Sequence, residues 1–119
     1  MNTTPIPSTL DEAVDQFDAN VPAKERDWIA SVSLDQFRGS IHFFGGMSLR
    51  NRWRLWETTG PLNEQLQSLG FHNGDDKSGL LLALFWSRIH GQTFDIAAEA
   101  ESNRVHWAKH GVNPDGLPL

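Results

Sequence analysis

The chain contains no cysteine. That excludes disulfides, thiol catalysis and cysteine-ligated metal, and it fits a cytoplasmic setting. Basic residues are in deficit, with 10 Lys and Arg against 15 Asp and Glu, for a formal net charge of -5. Nucleic-acid binding rests on basic patches, so this balance argues against it. Long apolar runs are missing too. The longest, Leu80 to Trp86, falls far short of the roughly 20 residues that span a bilayer, so no membrane role is expected. The start, MNTTPIPSTLDEA, lacks the basic and apolar regions of a signal peptide. No repeat, low-complexity tract or sustained period-2 alternation is present. Ser48, Ser78 and Ser87 stand in no nucleophile-elbow motif, so no catalytic residue and no cofactor is expected.

What is there is enough for one core. A chain of 119 residues makes a single domain, and 39% hydrophobic content with many aromatics argues against global disorder. The densest stretch is IHFFGGMSLRNRWRLW, Ile41 to Trp56, with two of the five tryptophans and two of the seven phenylalanines. Read as a helix, it carries one row of Leu34, Phe37, Ile41, Phe44 and Leu55, and a second row of Leu49, Trp53 and Trp56. A helix apolar on two faces is buried between neighbours, so this stretch is expected as a central helix from Ser33 to about Glu57. Gly45-Gly46 interrupts it, at roughly 1 kcal/mol per glycine against alanine, and reads as a site of close helix crossing.

The other elements follow from caps and stripes. Residues 1–7 read as a loose arm. Ser8, with Asp11 in the manner of a capping box, opens a short helix carrying Leu10, Val14 and Phe17 to about Ala19. Pro22 begins a second that buries Trp28 and Ile29. Ser33 and Gln36 form a capping box for the central helix. Pro61 opens a short helix closed by Gly70. SGLLLALFWSRIH, Ser78 to His90, is apolar nearly all round and reads as the second core helix, stopped by Gly91. A final helix from Thr93 or Asp95 to about His110 places Ile96, Ala100 and Trp107 inside. Residues 112–119 read as an extended tail. The fold class is all-α, a compact bundle of about six helices over residues 8–111.

Two motifs carry a resemblance. His42-Phe43-Phe44-Gly45-Gly46-Met47 runs into Arg50-Asn51-Arg52-Trp53-Arg54-Leu55-Trp56. Leu69-Gly70-Phe71-His72 is followed by Asp75-Asp76-Lys77-Ser78-Gly79-Leu80-Leu81-Leu82. In that order they resemble the patterns HFGLGxxIRNxWxLW and LGIxHxDDMSGIIL of DUF6794, a family of small bacterial domains of unknown function. The resemblance covers about the C-terminal two thirds of the chain and implies no activity. Lys77 stands where the family usually has methionine, and Arg54 where it often has glycine.

Four clusters are candidates for chemistry. Asp75 and Asp76 could hold a cation with His72, but two carboxylates at a helix start read first as caps on orphan N–H groups and the positive dipole end. His106 and His110 have zinc spacing without the glutamate of HExxH, so no metal site is expected. Arg50, Arg52 and Arg54 beside Trp53 and Trp56 read as ion pairs and ring stacking, or as an interface hot spot. Arg88 and His42, on the core helices, need polar partners; Arg88 or Arg50 is expected to pair with Asp75 or Asp76. The expected function is binding of another protein, of the immunity, inhibitor or adaptor kind, with a homo-oligomer as the second partner class. The binding residues would be Arg50, Asn51, Arg54 and Trp56 on the central stretch, His72, Asp75 and Asp76 in the loop, and Arg88. The alternative is an enzyme or small-ligand protein with its site at the His72-Asp75-Asp76 loop.

Overall fold

The structure, a computed structural model, describes residues 6–41 and 47–112. These contain seven helices: α1 Leu10–Asn20, α2 Ala23–Ser31, α3 Leu34–Ile41, α4 Met47–Trp53, α5 Pro61–Ser68, α6 Gly74–His90 and α7 Ile96–Lys109. The all-α expectation holds. The hub is α6, which packs against α1, α2, α3, α4 and α7. Its near-continuous apolar surface requires this: Leu80, Leu81, Leu82, Ala83 and Phe85 are all buried, and a helix apolar all round needs neighbours on every side. Phe85 stacks on Phe17 of α1 with ring centroids 4.1 Å apart and meets Trp53 of α4 edge-on at 6.2 Å. Residues 42–46, including His42, Phe44 and the Gly45-Gly46 pair, lie outside the described residues.

The expected central helix is described on either side of residues 42–46, as α3 and α4, and it ends at Trp53 rather than Glu57. The cause is Arg54, which adopts φ 53°, the left-handed region that costs a side-chain-bearing residue roughly 1–2 kcal/mol. The chain then closes with the Leu55 N–H donating to Arg50 O at 2.9 Å and the Glu57 N–H to Arg54 O at 3.1 Å. This break redistributes the expected apolar row. Trp53 is buried and Leu55 fully so, while Trp56 swings off the core and is 59% exposed. Trp28, also expected inside, is 40% exposed, and Ile29 takes the buried position on α2.

Caps fix where the other helices start. Ser33 Oγ accepts from the Gln36 N–H at 3.1 Å and Gln36 Oε1 from the Ser33 N–H at 2.9 Å, the expected reciprocal box. At α1 the cap is Thr9 rather than Ser8: its Oγ1 accepts from the Glu12 N–H at 3.1 Å, and Glu12 Oε2 accepts from the Ser8 N–H at 2.8 Å. At α6 the cap is Asn73, whose Oδ1 accepts from the Asp76 N–H at 2.8 Å. The helix therefore begins at Gly74, not at Ser78. Gly70, at φ 101°, ends α5 as expected and lets α7 approach: a Cβ there would lie 3.3 Å from Ala100 Cβ.

The last helix is held differently from the rest. No residue of α7 is buried. Ile96 and Ala100 reach the rim of the core, and polar ties do the remaining work. Arg38 Nη1 meets Glu99 Oε2 at 2.5 Å, and Trp107 Nε1–H donates to Asp76 Oδ2 at 2.9 Å.

Candidate functional site

Two faces collect the residues picked out above, and both converge on the start of α6. The first is the outer side of α4 and the turn after it. Asn51, Arg52, Arg54 and Trp56 are exposed there. Arg50, on the same helix, lies across Gly74, where a Cβ would come within 3.0 Å of Arg50 Cδ. Its Nη1 forms an ion pair with Asp75, one of the pairings expected. Arg52 and Arg54 have no charged partner among the described residues.

The second face is the loop His72 to Asp76. Its two carboxylates do different jobs, and neither is the cap. Asp75 pairs with Arg50. Asp76 receives the Trp107 indole N–H and, at 3.0 Å, the Asn73 Nδ2–H. Both carboxylates still sit in the first turn of α6, where negative charge suits the dipole. A simple ordering of mutational effects follows. Asn73→Ala should lower stability by about 0.5–2 kcal/mol, the usual loss of a cap. Asp75→Asn should cost about 1 kcal/mol at most, because the pair is solvent-screened. Urea midpoints of the two variants check this; a larger loss for Asp75→Asn would reverse the assignment.

Lys77 was not among the expected residues. It is completely buried. Its Nζ donates to Glu57 O and to Asn63 Oδ1, both at 2.9 Å, and Asn63 Nδ2 in turn donates to Arg54 O at 3.0 Å and Thr59 O at 3.1 Å. Among the described residues the ammonium thus pins the Arg54–Gly60 turn onto α6 through neutral oxygens alone. Burial pushes its pKa below the ordinary value of 10.5. In the unfolded chain the same amine binds its proton more tightly. Between the lowered pKa and 10.5 the unfolded state therefore holds more protons, and stability must rise with pH across that window. Denaturation of wild type and Lys77→Met at stepped alkaline pH tests this. The difference should tilt toward wild type as pH rises, and a difference independent of pH would refute the buried charge.

The remaining candidates lie apart. Arg88 does not reach the Asp75-Asp76 loop. It donates to Asp15 Oδ1 at 3.0 Å and Asp18 Oδ2 at 3.4 Å, while Arg26 holds Asp18 at 2.7 Å. The Arg26 hydrogen bond, with Arg88 adding to it, keeps the Asp18 carboxyl below its usual range. Arg88 lies 73 positions from Asp15 in sequence, a separation that the pattern of residues does not reveal. His106 and His110 sit on the exposed side of α7 with ring centroids 5.0 Å apart. Among the described residues no three His, Cys, Asp or Glu side chains gather as a metal would need, and no helix is long and apolar enough to cross a membrane.

A family match described as "Domain of unknown function (DUF6794)" spans residues 6–89. The chain belongs to the DUF6794 family. No curated protein and no solved structure matches it. The DUF6794 match takes in α1 to α5, nearly all of α6, and both faces just described, leaving α7 outside. The structure gives the two departures that the motif resemblance implies a physical setting. Position 54 has positive φ, which suits the glycine often found there. Position 77 is fully buried, which suits methionine. This chain has put a cation at each.

Proposed function

We propose that this DUF6794 domain is a non-catalytic protein-binding module of the immunity, inhibitor or adaptor kind, working in the cytoplasm. In this reading it docks its partner on the outer face of α4 and the turn that follows, with Trp56 as the anchor. The observation that carries the reading is the 59% exposure of Trp56 on a turn whose backbone is fixed from both sides. Leu55 is fully buried beneath it, and the Lys77–Asn63 network holds the turn's carbonyls. A large aromatic presented on a rigid support loses little conformational freedom when it is covered, which is what an interface hot spot needs. Arg52 and Arg54 flank it without charged partners among the described residues, so the matching surface on the partner carries carboxylates. The His72-Asp75-Asp76 loop is less suited to a ligand, because Asp75 already pairs with Arg50 and Asp76 with Trp107 and Asn73.

Affinity capture from an extract of the source cells, run in parallel with wild type and Trp56→Ala, tests the proposal. Arg104→Gln, at an exposed ion pair on α7, serves as the control. A protein retained by wild type and the control, and depleted with Trp56→Ala, is the expected result. Equal retention by all three would overturn the proposal.

A further inference from the structure

Beside the turn runs a groove of about 300 Å³. Ile6, Pro7, Trp53, Pro61 and Leu62 give it apolar walls, and Arg54 and Glu57 line it as well. The volume is at the small end of the range for ligand sites. Three features of this groove are costly for folding alone. Trp53 is 3% exposed and its Nε1–H, a donor and nothing else, has no hydrogen-bond partner among the described residues. Buried donors are nearly always satisfied, so an orphan calls for an acceptor from elsewhere. Arg54 is held at φ 53°, and such strain collects where a site is built. The buried Lys77 ammonium rests on Glu57 O and Asn63 Oδ1, two neutral oxygens of groove residues. Arg54 and Lys77 together set two cations against the single Glu57 carboxylate.

We propose that this groove is a binding site for a small free monocarboxylic acid with a short apolar body. The body lies against Ile6, Pro7 and Leu62. The carboxylate faces the Arg54 guanidinium, and one of its oxygens accepts the Trp53 indole N–H once the side walls part to admit it. A neutral molecule of the same shape would supply the apolar contact but leave the positive field unanswered. The site does not depend on a protein partner, so it stands or falls apart from the Trp56 reading.

The probe is hexanoate, with hexanamide as its neutral counterpart and acetyl-Ala-Ala-Leu as a carboxylate at a peptide end. The readout is the ¹H–¹⁵N resonance of the Trp53 indole, assigned in wild type by ring-to-backbone correlation so that no core variant is needed. Hexanoate should move that resonance saturably and bind at least about tenfold more tightly than hexanamide, roughly one 1.4 kcal/mol step. Arg54→Gln, on the rim, should remove most of that preference while leaving the indole spectrum of the free protein intact. An unmoved Trp53 resonance, equal binding of acid and amide, or a response to the peptide alone would each overturn the proposal.

Discussion

Phe85→Ala is expected to cost about 3–5 kcal/mol of stability, the range for truncating a buried phenylalanine. The side chain is 3% exposed and belongs to α6, the helix on which the others pack. Its ring is stacked on Phe17 and meets the edge of Trp53, so the alanine variant loses two aromatic contacts as well as its own buried area. Each such pair adds about 0.5–1.5 kcal/mol beyond burial. Domains of this size hold about 5–15 kcal/mol in all, so the variant should sit near the edge of folding. A urea titration followed by tryptophan fluorescence measures it. A loss under about 1 kcal/mol would mean that α1, α4 and α6 do not meet around this ring.

How far the fold could be read in advance differs from element to element, for reasons that are local. The Ser33–Gln36 box and the glycines closing α5 and α6 were legible because their chemistry lies within a few residues. Gly70 and Gly91 take φ 101° and 65°, and only glycine does so without strain. The start of α6 was missed because Asn73, Asp75 and Asp76 are all good caps, and nothing local ranks them. The end of α4 was missed because arginine at position 54 gives no sign of a left-handed residue. The apolar row therefore runs on past it and takes in Trp56, which the neighbouring arginines mark equally as a binding residue. Lys77 escaped because lysine almost never lies fully buried; the methionine usual at that position in the family was the one available signal. The Arg50–Asp75 pair was half-read, since each residue was suspected but Arg88 competed for the same acid.

The exposure of Trp56 is what makes it informative. Had it continued the α4 row, it would be core and its loss a matter of folding. Exposed on a braced turn, it should matter for binding alone. Trp56→Ala should therefore leave stability within about 0.5 kcal/mol, as surface changes do, while costing at least about 2 kcal/mol of partner affinity, roughly thirtyfold. Arg52→Gln and Arg54→Gln should act chiefly on the association rate and its salt dependence. The Debye length shrinks from about 10 Å at 0.1 M salt to about 3 Å at 1 M, so wild type should lose its rate advantage over these variants as salt is raised.

The most direct measurement is calorimetric titration of the captured protein against wild type and Trp56→Ala, with urea midpoints taken on the same two samples. The expected result is a dissociation constant weakened about thirtyfold or more at an unchanged midpoint. Equal dissociation constants for two equally stable proteins would contradict the assignment of this turn as the docking face.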